Sequence, residues 1–271
     1  MNNQDRAGNH ASTIKLISLN IWYGKLFKAL MNFIETLATR TDIFCFQEIL
    51  FGTNAKIGTY GIRENIYQEI ASALPDFIGY PAPTASGFII KRASIPKTLS
   101  GGLAIFARTE LKTSGNSVLR IAEKENPRVR VNPMTGSSQS IKFSKNGATF
   151  MIGNLHGLWQ VGSKGDTPER IRQSENILRF LKKSHSSKTV VIGDFNLDPS
   201  AACIKALEHP LRNLNREYDI TITRNHYYRD MEKFKDYVSD YAFVSPDVSV
   251  RSFEVLPDEV SDHLALSLEF C

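Results

Sequence analysis

The stretch that decides the fold is Thr189-Val190-Val191-Ile192-Gly193-Asp194-Phe195-Asn196-Leu197-Asp198-Pro199. A run of apolar and β-branched residues leads into a glycine, which predicts a buried strand that ends abruptly. Gly193 and Pro199 bracket the end of this strand, so its polar tip is expected on a turn. On an alternating strand, Asp194 and Asn196 point the same way, and together they can hold a water molecule or a phosphate oxygen. Both are also ordinary turn residues, so the stretch alone does not decide between a site and a turn.

The composition is that of a globular protein with a mildly basic charge balance. The chain has 271 residues, 42% of them hydrophobic and 23% charged, with a net charge of +5. This charge fits a polyanionic partner or a phosphorylated substrate. No linker, charge block or repeat divides the sequence, so we expect one domain over residues 13–271 after a flexible tail over residues 1–12.

The sequence also predicts where the protein works. The three cysteines form no disulfide framework, which favours a reducing compartment. The first residues lack the apolar core of a secretory signal, and no apolar run is long enough for a membrane span. We therefore expect a cytoplasmic monomer, with export by a leaderless route left open.

Apolar strands and amphipathic helices alternate along the chain. The helix that begins at Thr167 and Pro168 should run to about Lys183, with Ile171 and Ile177 among its inward residues. This alternation predicts a two-layered β core covered by helices. The expected strands are 14–20, 43–48, 101–108, 149–156, 189–194, 240–244, 250–256 and 264–270, with a hairpin within 109–147, and the expected helices are 26–39, 63–74, 167–183 and a short one from about 200.

Polar residues recur where these strands end or begin. Because antiparallel neighbours bring the end of one strand beside the start of the next, we expect these side chains at one rim. Carboxylates suit Mg²⁺ or Mn²⁺, and a histidine held by a carboxylate keeps its positive form to higher pH. Such a set can neutralise charge that builds on a phosphorus centre. The set comprises Asn20, Glu48, His156, Asp194 and Asn196 at strand ends, and Asp240, Asp262 and His263 ahead of strands.

Six motifs in this order resemble the endonuclease/exonuclease/phosphatase superfamily, and they extend over residues 14–270. The resemblance implies an α/β fold, a four-layered sandwich of two packed mixed β-sheets flanked by helices, with the site at one rim. The motifs are Leu19-Asn20, Gln47-Glu48, Leu155-His156, Gly193-Asp194-Phe195-Asn196, Asp240-Tyr241-Ala242-Phe243 and Ser261-Asp262-His263.

The resemblance also implies a metal site that holds Mg²⁺ or Mn²⁺. Glu48 corresponds to the principal metal ligand, Asn20 to the residue beside it, and Asp262 to a further carboxylate on the metal side. Trp22 and His156 stand where abasic-site endonucleases have an acid and a tyrosine, which disfavours a repair endonuclease.

The remaining residues correspond to the catalytic set. Asp194 and Asn196 match the pair that positions the attacking water and the phosphate. His263 matches the catalytic histidine, with Asp240 as its partner, and His156 matches the histidine that contacts the phosphate or the leaving group. Whether His263 or Asp194 removes the proton from water is left open.

Two basic stretches, 112–145 and 224–235, bear on the substrate. Basic groups between aromatics can track a phosphate backbone and stack bases, although ordinary solvated loops have similar compositions. The first hypothesis is therefore a Mg²⁺-dependent hydrolase of phosphate esters, a nuclease-like phosphodiesterase with nucleic acid as one candidate substrate. The alternatives are a phosphomonoesterase, a sphingomyelinase-like lipid phosphodiesterase, and a non-catalytic protein that binds a phosphorylated ligand on the same fold.

Overall fold

The computed structural model describes residues 13–53, 61–87, 89–90, 93–94, 98–122, 132–161, 164–183, 188–228 and 238–271. The tail expected over residues 1–12 lies outside them. The strands are β1 (Ile14–Asn20), β2 (Ile43–Leu50), β3 (Phe77–Ser86), β4 (Ile89–Ile90), β5 (Ala93–Ser94), β6 (Ser100–Arg108), β7 (Ser114–Arg120), β8 (Ser137–Lys145), β9 (Ala148–His156), β10 (Lys188–Asp194), β11 (Arg212–Asn213), β12 (Asp240–Val244), β13 (Val250–Val255) and β14 (Leu266–Phe270). The helices are α1 (Phe27–Ala38), α2 (Ile66–Ala73), α3 (Pro168–Lys183), α4 (Ala202–Glu208) and α5 (Leu214–Glu217).

Two six-stranded mixed sheets form the centre of the protein. The first has the order β13-β14-β1-β2-β6-β3, and the second has the order β11-β12-β10-β9-β8-β7. Each sheet contains one parallel pair whose strands are connected through a helix, β1–α1–β2 in the first and β9–α3–β10 in the second. The carboxyl ends of the two parallel pairs therefore supply polar side chains at corresponding positions of the two sheets.

Alternate residues of each strand enter two different apolar layers. In β10, Val190 and Ile192 pack between the sheets, whereas Val191 packs under α3 and α4. In β2, Ile43 and Cys45 face the space between the sheets, whereas Phe44 and Phe46 pack under α1 and α2. Strands buried on both faces read as continuous apolar runs, which is the pattern of the sequence. The predicted four-layered sandwich of two mixed sheets flanked by helices is confirmed.

The long helix α3 differs from its prediction in its first turn. Ile171 was expected to face inward, but this is wrong, because 46% of its surface is exposed. Arg170 is buried instead, and its guanidinium donates to the carbonyl oxygens of Gly165 at 2.7 Å and Leu158 at 3.4 Å. Gln173 accepts a hydrogen bond from the backbone N–H of Leu158 at 2.7 Å. The inward face of this turn is polar because it supports the backbone of the loop that follows β9.

Strand β3 was not predicted. It contains Pro81 and Pro83 and lies at the edge of the first sheet, where it pairs with β6 alone. Proline has no N–H to donate, and an edge strand leaves one side of its backbone unpaired, so prolines are tolerated there. The hairpin expected within 109–147 is confirmed by the antiparallel pairing of β7 and β8.

None of the helices in the described part of the chain is both long enough and apolar enough to cross a membrane.

The close approach of β9 and β10 generates a stability prediction. Gly193 has a φ of +141°, and a Cβ placed there would lie 2.2 Å from the carbonyl oxygen of Leu155. We expect Gly193→Ala to lower the free energy of unfolding by about 1–3 kcal/mol in urea denaturation, because the two strands must separate to admit the methyl group.

Gly153→Ala is the matched control in the neighbouring strand. Its Cβ would meet nothing closer than the Cγ2 of Val191 at 3.6 Å, which is an ordinary contact. Gly153→Ala should lower the free energy of unfolding clearly less than Gly193→Ala does. An equal decrease in the two variants would contradict the explanation.

Candidate active site

The predicted polar residues converge at one end of the space between the two sheets. Asn20 ends β1 and Asp194 ends β10. In each strand, apolar residues that lie an even number of positions earlier point toward the opposite sheet. Asn20 Nδ2 donates to Asp194 Oδ2 at 3.3 Å, so this contact joins the first sheet to the second. In the second sheet, Asp194 lies directly between His156 of β9 and Asp240 of β12 in the strand register. The convergence expected from the strand ends is therefore present.

The carboxylate of Asp194 lies at the centre of this group. The hydroxyl of Ser239 donates to Oδ1 at 2.7 Å, and the backbone N–H of Asn196 donates to the same oxygen at 2.9 Å. Burial alone would raise the pKa of Asp194, but the positive charges of His263 and Arg224 outweigh it and hold the pKa well below its usual range. Asp194 is therefore a buried carboxylate that stays ionised.

Asn196 reaches Asp194 through a turn rather than through strand alternation. The strand ends at Asp194, and Asn196 adopts a left-handed φ of +54°. Its Nδ2 donates to Asp194 Oδ2 at 3.2 Å and to the Gly157 carbonyl oxygen at 3.1 Å. Its buried Oδ1 has no hydrogen-bond partner among the described residues. The amide is thus fixed by its nitrogen and has an acceptor oxygen available.

His263 and Asp240 form a hydrogen-bonded pair. The Nδ1 of His263 lies 3.0 and 2.9 Å from the two carboxylate oxygens of Asp240, and Thr223 Oγ1 donates to Asp240 Oδ2 at 2.7 Å. The Nε2 of His263 lies 3.7 Å from Asp194 Oδ2. Burial and Arg224 would lower the pKa of His263, but Asp240 and Asp194 outweigh them and the pKa is raised. This pair can therefore present a positive imidazole next to Asp194.

His156 is the second histidine at this rim, and it is neutral. Its Nε2 lies 3.8 Å from Asp194 Oδ2. Burial lowers its pKa to about 4, although Asp194 opposes this shift. Within the described ranges, its Nδ1 has no hydrogen-bond partner. His156 can thus act as a neutral hydrogen-bonding group, but it has no acidic partner of the kind that His263 has.

Glu48 was expected to end its strand, and this is wrong. Residues 43–50 are one strand, and the pairing with β6 skips Glu48, since Gln47 pairs with Leu103 and Ile49 with Gly102. This β-bulge gives Glu48 a left-handed φ of +56°. Strict alternation would place Glu48 on the helix-covered side with Phe46, so the bulge is needed to redirect its carboxylate.

The raised pKa of Glu48 fits a site that binds a cation. Burial, followed by the negative charge of Asp262, raises its pKa to about 7, against the opposing effects of His263 and Lys25. Tyr23, which the sequence analysis did not select, forms a side-chain hydrogen bond with Glu48. A divalent cation would relieve the repulsion that Glu48 feels from Asp262, and the carboxylate and amide oxygens of Glu48, Asp262 and Asn20 are hard donors of the kind that such a cation prefers.

A second acidic group is less suited to hold a metal. Asp194, Asp240 and His263 offer ligand atoms within 4.8 Å of one another. However, His263 Nδ1 is bound to Asp240, and Asp194 already accepts hydrogen bonds on both oxygens. The carboxylates of Glu48 and Asp262 fit a cation better than this group does, and Asn20, whose Oδ1 also accepts from the backbone N–H of Trp22 at 3.1 Å, lies on the strand next to that of Glu48.

Sequence reasoning did not select two buried residues beside Asp194. Lys164 comes from the loop after β9, and its Nζ donates to Ser239 Oγ at 2.9 Å. Arg224, noted only as part of a basic stretch, donates from Nη2 to the same hydroxyl at 3.0 Å. No periodic pattern in the sequence indicates Lys164. Ser239 directly precedes the Asp240 motif, and this position is the signal that could have selected it.

Two further histidines are exposed. His226 is exposed and bonds through Nδ1 to Glu259 at 3.1 Å, and His209 is exposed at the end of α4. His185 lies outside the described residues.

A comparison with known protein families gives a match over most of the chain. The model of the Endonuclease/Exonuclease/phosphatase family matches residues 17–263. No curated protein sequence matches the chain significantly.

Solved structures share the fold at low sequence identity. A family protein from Leptotrichia buccalis superposes with a TM-score of 0.70 at 19% identity, covering 95% of this chain and 99% of that one. A mannosyl-6-phosphatase from Bacteroides thetaiotaomicron gives 0.65 at 18% identity, covering 95% and 99%. The catalytic domain of human Nocturnin gives 0.63 at 20% identity, covering 96% and 93%. Because the family model spans nearly the whole sequence and includes every predicted site residue, the chain belongs to the endonuclease/exonuclease/phosphatase family.

Proposed function

We propose that the protein is a divalent-metal-dependent hydrolase that cleaves phosphate esters by attack of water on phosphorus. Members of its family are hydrolytic phosphoesterases and typically depend on a divalent metal. The observation that carries the proposal is the ionised Asp194, which lies within 3.8 Å of His156 and 3.7 Å of a His263 that is paired with Asp240. An anionic acceptor beside a positive imidazole is the arrangement that water activation and charge neutralisation require.

Glu48, Asp262 and Asn20 would hold the metal. When bound, a divalent cation supplies positive charge to the phosphoryl oxygens. Asn20 also donates to Asp194, so the proposed metal side and the water-positioning side share one residue. Tyr23 and the bulge in β2 fix the Glu48 carboxylate that this binding needs.

Asp194 and Asn196 would orient the attacking water. Asp194 accepts hydrogen bonds in its ionised form, and the Asn196 Oδ1 is a further acceptor at the same place. His263 would face the developing negative charge on phosphorus, because Asp240 holds its Nδ1 and stabilises the imidazolium. His156 would bind a phosphoryl or leaving-group oxygen as a neutral hydrogen-bond donor.

The first hypothesis for the activity was a nuclease-like phosphodiesterase. Its support from the basic stretches is partial, since Lys124, Arg128, Arg130, Arg229, Lys233 and Lys235 lie outside the described residues. Among described residues, Lys112 and Arg120 are exposed, but Arg224 is buried beside Asp194. This buried position favours a second candidate, a phosphomonoesterase. A buried arginine can contact the phosphate that reacts, whereas exposed cations would contact a nucleic-acid strand bound at the surface.

The metal proposal predicts a requirement that can be measured in two ways. Chelation should abolish hydrolysis of a phosphate ester, and Mg²⁺ or Mn²⁺ should restore it. Mg²⁺ should also raise the Tm of the wild-type protein, because binding to the folded state alone stabilises it. In Glu48→Gln both effects should be lost, since the amide neither carries the charge nor attracts the cation.

Full turnover in metal-free buffer would contradict this assignment. If Mg²⁺ raised the Tm of Glu48→Gln as much as that of the wild-type protein, the cation would bind at a site other than Glu48.

The His263–Asp240 pair predicts a second loss of activity. His263→Ala should lower kcat by about 10²–10⁴-fold, since it removes the positive group beside Asp194. Asp240→Asn should also lower kcat, because it weakens the imidazolium and its orientation. Steady-state kinetics with Mg²⁺ present would measure both.

His226→Ala is the matched control, because it removes an exposed histidine that is also paired with a carboxylate. It should keep wild-type kcat. If all three variants retained activity, the assignment of His263 would be wrong.

A further inference from the structure

Two buried cations lie beside the proposed catalytic carboxylate. Lys164 is 7% exposed and Arg224 is 4% exposed. Both donate to the hydroxyl of Ser239, which in turn donates to Asp194 Oδ1 at 2.7 Å. The Nη2 of Arg224 lies 3.9 Å from Asp194 Oδ2. The Ser239 hydroxyl is therefore hydrogen-bonded to a lysine, an arginine and an aspartate.

The backbone holds both cations in place. Arg224 forms an isolated β-bridge with His263, and the neighbouring N–H of Leu264 donates to the Thr223 carbonyl oxygen at 2.9 Å. The Lys164 carbonyl oxygen accepts from the N–H of Asp198 at 2.9 Å, in the loop that carries Asn196. Each cation is thus attached to a segment that carries a proposed catalytic residue.

Lys164 and Arg224 share the buried carboxylates of Asp194 and Asp240 with His263. Asp240 is hydrogen-bonded to His263, whereas Asp194 Oδ2 lies 3.9 Å from Arg224 Nη2 and 3.7 Å from His263 Nε2. Burial, followed by the charge of Arg224, lowers the pKa of Lys164 to about 7. An anion bound next to Lys164 and Arg224 would stabilise the charged form of this ammonium.

The hydrogen-bonding capacity of the pair is also incompletely used. A lysine has three donors and an arginine has five. Among the described residues, the buried Nε of Arg224 has no hydrogen-bond partner. The centroid of the half-buried Tyr228 ring lies 3.8 Å from the Arg224 guanidinium carbon and 5.7 Å from Lys164 Nζ, so both cations also lie near an aromatic face.

We propose that Lys164 and Arg224 form a subsite for the second negative charge of a phosphomonoester, so that the enzyme prefers a terminal phosphate to an internal phosphodiester. The inference rests on the proposed function and specifies its substrate class. A monoester carries two negative charges above its second pKa of about 6, whereas a diester carries one. The two buried cations supply the charge and the donors that the additional oxyanion requires.

The test compares two substrates that differ by one methyl group. The monoester p-nitrophenyl phosphate and the diester methyl p-nitrophenyl phosphate share a leaving group, and the methyl removes one charge. Wild-type protein with Mg²⁺ should have the higher kcat/KM for the monoester. In Lys164→Met and in Arg224→Gln, the ratio of monoester to diester kcat/KM should fall by about 10- to 100-fold, the size of a lost charged hydrogen bond.

Conservative and control variants separate charge from structure. Arg224→Lys keeps the charge and should recover part of the ratio. Lys205→Met removes an exposed lysine of α4 and should leave the ratio at its wild-type value. If Lys164→Met fails to fold, Arg224→Gln and Arg224→Lys decide the question. Equal losses on the two substrates, with an unchanged ratio, would mean that the cations serve only Asp194, and this would overturn the inference.

A binding measurement distinguishes failure of the subsite from failure of the proposed function. Orthophosphate binding with Mg²⁺ present can be followed by calorimetry without turnover. If the wild-type protein hydrolyses neither ester, the proposed function fails. The subsite is then supported by phosphate affinity that falls about tenfold or more in Lys164→Met, and it is overturned by affinity that does not change.

Discussion

The rest of the site depends on keeping one carboxylate ionised inside the protein. Burying a charge is costly unless it is paired and fully hydrogen-bonded. Asp194 meets this requirement with donors from β1 of the first sheet, from the loop after β10 and from Ser239, which directly precedes β12 of the second sheet. These donors can be in place only when the two sheets are packed in register, so the chemistry of the site and the packing of the fold are fixed together.

The space between the sheets is not purely apolar, and its polar part sets their relative position. Gln47 Nε2 donates to Asn154 Oδ1 at 2.7 Å across the two sheets. Asn154 Nδ2 in turn donates to the carbonyl oxygens of Phe46 and Ala104 at 3.0 and 3.1 Å. A shift of one sheet along the other would leave these buried groups unpaired, which is costly. The same contacts therefore restrict the sliding that would separate Asn20 from Asp194.

The polar ends of the apolar strands could be predicted because strand parity and strand ends are visible in sequence. Asn20, His156 and Asp194 follow alternating residues that face the opposite sheet, and Asp240 precedes such residues, so that pattern predicts that the four lie together. The roles assigned to them stay predictions, since they come from resemblance and from geometry. Contacts that depend on a loop conformation, such as those of Lys164 and Ser239, leave no periodic signal. The exposure of Ile171 was unpredictable for a related reason, because the backbone groups that Arg170 satisfies belong to the irregular loop between β9 and α3.

The bulge at Glu48 makes the proposed metal site sensitive to the length of a strand as well as to its side chains. Glu48 lies on the wrong side of the β2 alternation, and the unpaired residue opposite β6 is what corrects this. Adding one residue to β6 opposite Glu48 would restore a regular ladder and turn the acid toward the helices. Such an insertion would eliminate cation binding in a chain that retains every acid, amide and imidazole of the site.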